Sequence, residues 1–526
     1  MKIVCLDKTI GEMVMYSSIK VSAVIFIFFI SLACAYSISP GHPWGGDFSM
    51  YLMQKDALDK NDMDSLLEMS RFRMENSTFV VGPNVYPWGY PVALLFVSKA
   101  FDDDVDVFKM ANAVFLFAFL LCVYLYFKDG LQFYSIVILL GVLGLTPAFY
   151  EIKNSVLSDL MAVMLAYASL VACQMSFSGN SAKIIASSVV CGICMFSAYM
   201  VRTQYVVLPA MIAIVQWYGA GERRFVDGFV GALKKIKFAH IVPYITFLLC
   251  LFLVYMFMGV KSSYGTQFEK YNIFLTLLYN AMYYAYAFSL TWGVVNLDPD
   301  LFRLTGPLSK IVSAGLFLVF LPALIMGIKK SYRTRKVHII VGLLGIAIPL
   351  FYPWQGGLRL ILFSVPFYIY FVLLGLEDLV QNRYLNAYQR IAKLGLLSLV
   401  VFFVVSVAYK IYLYQDVNYV IKEGPYTSDS VELWKFINND TDKDSTFAFW
   451  KPRVLSLFTG RKAAAYGQVS EIDTGRIHYL VLFRDADILN YSSCRSCPEK
   501  YDKVFSNRSY AVYRMNTGRG ENAASK

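Results

Sequence analysis

Ile241-Val242-Pro243-Tyr244-Ile245-Thr246-Phe247-Leu248-Leu249-Cys250-Leu251-Phe252-Leu253-Val254-Tyr255-Met256-Phe257-Met258-Gly259-Val260 is a run of twenty residues without a charged side chain. As a helix rising 1.5 Å per residue it reaches about 30 Å, the thickness of a bilayer's hydrocarbon core. Lipid offers no partner to backbone N–H and C=O groups, so such a run satisfies them internally as a helix. Outward from it the pattern repeats over Val107–Phe127, Leu131–Phe149, Ser158–Met175, Ile184–Tyr199 and Tyr205–Trp217. It continues over Ile311–Ile328, Val337–Phe351, Leu358–Leu376 and Leu394–Tyr412. The composition agrees, with 57% apolar and 16% charged residues, where a soluble domain carries about 25% charged. The fold class is therefore an all-α polytopic membrane protein.

The first apolar run, Val21 to Ser37, follows Lys2, Lys8 and Lys20 and ends near Ala33-Cys34-Ala35. Those features suit a cleaved signal peptide, but the run is long enough to span and is read as an uncleaved first helix. With it the chain has about eleven transmembrane helices.

Basic residues set the orientation. A cytoplasmic N-terminus places Arg223, Arg224, Lys234, Lys235 and Lys237 inside, and Arg383, Arg390 and Lys393 follow. Lys329, Lys330, Arg333, Arg335 and Lys336 join them only if the apolar segment Ile273–Trp292 does not span. That Tyr-rich segment becomes interfacial or re-entrant on the outer side. The net charge of +11 thus reports topology and contact with membrane lipid rather than nucleic acid. Most cysteines lie in apolar runs as small core residues, and Cys494 and Cys497 read as a local disulfide.

Two domains follow: residues 1–413, a multi-helix membrane domain, and residues 414–526, a small extracytoplasmic domain of α/β or α+β type. In the latter, Ser430–Asn439 reads as a helix and Thr446–Trp450 and His478–Phe483 as strands. Pro452 opens a helix and Val504–Met515 forms a terminal hairpin.

The chemistry concentrates in the long first outer loop, about residues 40–106. It begins Pro43-Trp44-Gly45-Gly46-Asp47-Phe48-Ser49-Met50-Tyr51, continues in two amphipathic helical segments, and reaches Tyr86-Pro87-Trp88-Gly89-Tyr90-Pro91. The run Tyr90–Ala100 is too short to span. Asp47 has two readings, a functional carboxylate at the membrane boundary or the N-cap of a helix starting at Phe48.

A hydrophobic helix, a Gly-Asp-x-x-x-Tyr element, amphipathic segments and Tyr-Pro-x-Gly-Tyr-Pro together resemble the start of C-type (GT-C) membrane glycosyltransferases. The similarity is to the protein mannosyltransferase and lipid A aminoarabinose transferase group. The segment Trp450-Lys451-Pro452-Arg453-Val454-Leu455-Ser456-Leu457-Phe458-Thr459-Gly460-Arg461 also resembles one these proteins carry after their last helix.

The resemblance implies transfer of a sugar from a polyprenyl-phosphate carrier to a lipid, glycan or protein acceptor on the outer side of the cell's inner or plasma membrane. It makes Asp47 the general base, with inversion at the anomeric carbon. Asp159 matches a later acidic position, where the roles open to it are orienting the acceptor and assisting Asp47 as base, and Tyr51, Tyr86 and Tyr90 accompany the two motifs as substrate-binding candidates. A divalent metal held by Asp47 and Asp159 is one role open to these carboxylates. Another reading makes Asp159 a residue of a helix start capped by Ser158.

Arg202 and Arg359 fall beside outer turns and suit the lipid phosphate, or simply snorkel to the interface. Lys153 and His42 are weaker candidates. Tyr86–Pro91 lacks the lysine or histidine that some relatives place there for phosphate. A transporter or flippase, or an oligosaccharide polymerase or ligase, would share the helical architecture. The helix interiors, however, are almost free of charge, unlike most transporters.

Overall fold

The computed structural model describes residues 21–79, 81–145, 149, 152–219, 238–258, 273–292, 307–352, 356–381, 424–467, 472, 475–483 and 501–515. The chain divides into two compact units. One comprises Met1–Ile38, Lys109–Gly259 and Phe268–Gln415; the other comprises Ser39–Phe108, Val260–Gln267 and Asp416–Lys526. The loop that opens the sequence's chemistry therefore clusters with the C-terminal segment.

Among the described residues three helices are long and apolar enough to cross a membrane: Val105–Phe127, Ser181–Val201 and Phe238–Met256. On the last of these, Ile241, Ile245, Leu248, Phe252, Tyr255 and Met256 are exposed along one stripe. An apolar stripe of that size would aggregate in water and is at home only against lipid. Shorter apolar helices run over Val21–Tyr36, Phe133–Leu145, Asp159–Met175 and Lys336–Phe351. The segment Ile273–Trp292 forms a helix, Ile273–Ser289, ending in a 3-10 turn at Leu290–Trp292. From it Asn280 donates to the carbonyls of Pro349, Leu350 and Tyr352 at 3.3, 3.1 and 2.7 Å. Those carbonyls lie at the C-terminal end of the Lys336–Phe351 helix, where the last carbonyls lack the usual partner four residues on; the Pro349 carbonyl also accepts from the Tyr352 N–H at 3.2 Å.

Two expected spans are broken. The stretch expected as one helix over Leu358–Leu376 is a single turn, Leu358–Ile361, followed by a helix over Val365–Gln381. The stretch Tyr205–Trp217 begins as a 3-10 turn, Thr203–Val207, and becomes α-helical at Leu208. In both cases a proline, Pro366 or Pro209, occupies the second position of the new helix. Proline lacks the N–H a continuing helix needs and is pre-set for a first turn. The basic loop Arg223–Lys237, the residues Arg383, Arg390 and Lys393, the expected span Leu394–Tyr412 and the pair Cys494 and Cys497 lie outside the described residues.

The helices Pro307–Thr334 and Val365–Gln381 meet backbone to backbone. A Cβ on Gly327 would collide with the carbonyl of Phe371, and one on Gly375 with the carbonyl of Ala323. Small residues give membrane helices this closeness, because packing and not solvent exclusion holds them together. Gly375→Val is expected to push the pair apart at a cost of about 1–3 kcal/mol. Thermal unfolding in detergent measures it, and an unchanged melting temperature would mean the helices are not in contact there.

In the second unit five strands lie in the order β2-β1-β3-β5-β4, with β1 at Thr446–Ala448, β2 at Lys462–Ala464, β3 at Tyr479–Phe483, β4 at Asp502–Ser506 and β5 at Tyr510–Arg514. β1 is parallel to β2 and β3, while β5 is antiparallel to β3 and β4. The crossover from β1 to β2 carries the helix Pro452–Thr459, which begins at a proline and ends at Gly460 with φ +67°. The helix Ser428–Asp440 precedes the sheet, capped by the Thr427 side chain.

The first loop is woven into this unit. The N–H of Thr78 donates to the Ala465 carbonyl at 3.0 Å, and the N–H of Ala465 to Ser77 Oγ at 2.9 Å. Phe72, on the loop helix Met63–Asn76, packs on the sheet's core of Leu480, Leu482, Tyr466 and Tyr513.

Candidate active site

Each unit holds one cluster of candidate residues. In the second unit, Gly45 in extended conformation caps the helix Gly46–Lys60 without a side-chain bond, so Asp47 lies inside the first turn. The expected start at Phe48 with Asp47 as its cap is thus replaced by a start at Gly46. A carboxylate in a first turn gains from the helix dipole. Its Oδ1 accepts a hydrogen bond from the Tyr86 hydroxyl at 2.7 Å. That hydroxyl in turn accepts an N–H from Arg453 Nη1 at 2.8 Å. Burial pushes the Tyr86 phenol up to about 12, so it keeps the proton it donates at neutral pH.

Tyr51 and Tyr90 support this arrangement from below. Their rings lie 4.9 Å apart edge to face, and Tyr51 sits 5.1 Å from the Tyr86 ring. Both are buried, so as placed they brace Tyr86 instead of presenting a face to a substrate. His42 stacks on Phe48 at 4.0 Å with its Nδ1 2.7 Å from the Pro43 carbonyl.

Three cations of this cluster, Lys451, Arg73 and Arg453, come from residues to which the sequence assigned no role. Lys451 lies with its Nζ 4.3 Å from the centre of the Trp450 ring. Burial lowers its pKa, Asp47 opposes that, and Arg453 adds to it. Arg73 is buried, bonding Ser70 Oγ through Nη2 at 2.9 Å. Burial, and then Arg453, press its pKa well below the ordinary guanidinium value. Arginine does not give up its proton in proteins, so the pressure is felt as a cost of the folded state. The one signal for Arg453 in the sequence is its place, directly after the proline that opens a helix. A cation is disfavoured at that end and needs a partner.

In the helical unit, Asp159 occupies the first turn of the helix Asp159–Met175, and the expected cap Ser158 makes no side-chain capping bond. Its carboxylate is shut off from solvent and gripped from two sides. Arg202 Nη1 bonds Oδ1, while Arg359 reaches Oδ2 through Nε at 3.0 Å and Nη2 at 2.9 Å.

The backbone explains both arginines. Arg202 is the C-cap of the Ser181–Val201 helix, the end where a cation is favoured. Arg359 sits in the one-turn helix after Gly357, whose φ of +61° suits a residue without Cβ. Near them Gln204, Tyr205, Val207, Met211, Gly345, Ile348, Pro349 and Phe363 line a small apolar recess.

Lys153 serves a different end. Its ammonium donates to the carbonyls of Cys34 and Ser37 at 2.6 and 3.0 Å and to Ser37 Oγ at 3.0 Å. It closes the last turn of the first helix, as cations near a C-terminus do.

Metal binding does not fit Asp159 as placed, since both oxygens are bonded to guanidinium groups. Among the described residues no three His, Cys, Asp or Glu side chains gather as a metal-binding group.

The fold is similar to that of three solved structures. The crystal structure of ArnT from Cupriavidus metallidurans bound to undecaprenyl phosphate matches with a TM-score of 0.53 and 12% identity, over 94% of this chain and 98% of that one. The oligosaccharyltransferase of Archaeoglobus fulgidus, in complex with Zn and sulfate, matches with a TM-score of 0.54 and 13% identity, over 93% and 73%. The archaeal enzyme AglB from that organism, with an inhibitory peptide and a dolichol-phosphate, gives 0.50 and 11% over 89% and 70%. No protein-family model and no curated protein matches the sequence.

Proposed function

We propose that this protein is an integral-membrane glycosyltransferase that moves a sugar from a polyprenyl monophosphate to an acceptor hydroxyl on the outer side, with Asp47 as general base. The reading includes about eleven membrane helices, a cytoplasmic N-terminus and an extracytoplasmic C-terminal domain. The observation that carries it is the Asp47 carboxylate, oriented by Tyr86 at a helix start in a fold of this class.

An acceptor hydroxyl is a poor nucleophile until a positioned base takes its proton. As its oxygen bonds the anomeric carbon, the proton passes to Asp47. The bond from that carbon to the phosphate oxygen breaks, and its electron pair leaves on the lipid phosphate. Attack opposite the leaving group inverts the anomeric configuration.

Charge growing on the phosphate calls for fixed cations. Arg202 and Arg359 suit that need: with Asp159 they sum to +1, and guanidinium groups grip phosphate at two points. Asp159 is then the residue that holds the arginines rather than a second base or a metal ligand.

Membranes containing the protein, given a panel of polyprenyl-phosphate sugars labelled in the sugar, are expected to lose label from one donor only in the presence of acceptor. Loss of no donor across hexose, pentose and amino-sugar carriers, with acceptor extracts supplied, would refute the assignment.

A further inference from the structure

In the segment Trp450–Arg461, Trp450 packs against Trp44 of the first loop and Arg453 hydrogen-bonds to that loop. Arg453, 5% exposed, donates from Nη1 to the Tyr86 hydroxyl at 2.8 Å and lies with its guanidinium 5.0 Å from the centre of that ring. It also donates to the carbonyls of Gly46 at 3.5 Å and Pro83 at 3.3 Å. The space it fills is kept open by Gly82, whose φ is +84° and whose Cβ, if it had one, would stand 2.6 Å from Nη2. A cation in the first turn of its own helix is unfavourable, so this placement is set by the partners.

We propose that Arg453 and Tyr86 are positioning residues for Asp47: the guanidinium fixes the phenol, the phenol fixes the carboxylate, and the C-terminal segment thereby completes the base. This rests on Asp47 being the base of the transfer reaction. A hydrogen bond donated to a carboxylate, backed by a cation, favours its charged, proton-accepting form. It also holds the acceptor-facing geometry, where small displacements cost rate.

Around Asp47 the titratable and charged groups are Tyr51 on its own helix, Arg73 on Met63–Asn76 and Tyr86 before the helix Gly89–Ala100. Among the described residues they also include Tyr90 on that helix and Lys451 and Arg453 at the Pro452–Thr459 helix. Tyr86 stays protonated and the cations stay charged through the range in which a carboxylate titrates, so the acid limb of the rate profile reports Asp47.

The test compares the full-length wild type, Arg453→Met, Arg453→Lys and Tyr86→Phe, with folded protein quantified for each, on the donor consumed by wild type. Loss of the relay is expected to lower kcat roughly tenfold to a hundredfold. The donor KM should stay near that of wild type and the acid limb should move to higher pH. Arg453→Lys, which keeps a donor to the phenol, should recover part of the rate.

Tyr86→Phe removes only the hydroxyl and should show the same shift, which covers the case where Arg453→Met folds poorly. If both Arg453→Met and Tyr86→Phe keep the wild-type kcat and acid limb, Arg453 is a structural tie and the proposal is overturned. If wild type itself consumes no donor, the transferase reading fails first and takes the relay with it.

Discussion

Asp47→Asn is expected to stop sugar transfer while leaving the lipid donor bound. Asparagine keeps the side chain's shape and its place in the first turn of Gly46–Lys60, but it cannot accept a proton at neutral pH. A general base contributes on the order of 10²–10⁴ in rate, and the loss should appear in kcat. KM for the donor should hold, because Arg202 and Arg359, proposed to bind the phosphate, belong to the other cluster. Asp47→Glu should retain a fraction of the activity, since the base survives but is displaced from the Tyr86 hydroxyl. Steady-state kinetics on purified protein decides the matter. Equal turnover by wild type and Asp47→Asn would reduce Asp47 to a residue that favours a helix start.

Asp159→Ala carries the second large expectation, and it concerns folding as well as activity. Removing the carboxylate leaves Arg202 and Arg359 facing one another with side chains 17% and 30% exposed. Breaking a buried ion pair from one side costs about 3–5 kcal/mol; partial exposure of the arginines puts the expectation near the lower end, about 3 kcal/mol. Thermal unfolding should show that loss, and donor affinity should fall because the arginines are no longer held.

The double variant Asp159→Ala, Arg359→Met should recover part of the stability and none of the transfer, since one repelling cation is gone but so is a proposed phosphate ligand. Such coupling is what a double-mutant cycle isolates. Additive losses would show that the three side chains do not act together.

Much of this was legible in the residues. Among the described residues most apolar runs located a helix to within a few positions, and the pattern of the tail anticipated the helix at Ser428–Asp440, the strands at Thr446–Ala448 and Tyr479–Phe483, and the β4–β5 hairpin. The two broken spans were legible in principle. Pro209 and Pro366 each mark a helix restart, and hydropathy averaged over a window hides such a mark. Both restarts lie near the arginines that hold Asp159, where a straight helix would have carried the side chains past it.

The identity of that partner was not legible. Asp159, Arg202 and Arg359 are separated by 43 and 200 residues along the chain from Asp159, and no local pattern links them. The same holds for Arg453, which is 367 residues from Tyr86. Only its awkward place at a helix start hinted that it answers to something outside its own helix. Tyr51 and Tyr90 show the opposite limit: a motif can place an aromatic beside a site without saying whether its face is free or packed.

The central claim is sugar transfer with a polyprenyl monophosphate as leaving group, and the most direct measurement is the identity of the lipid left behind. Purified protein would be given the donor that wild-type membranes consume, labelled in both sugar and lipid, with acceptor, and the lipid product identified by mass spectrometry. One polyprenyl monophosphate released for every sugar joined to acceptor is the predicted result. Release of a polyprenyl diphosphate would point to a polymerase or ligase. Donor that changes leaflet with its sugar still attached would point to a flippase, and either result would contradict the mechanism built on Asp47.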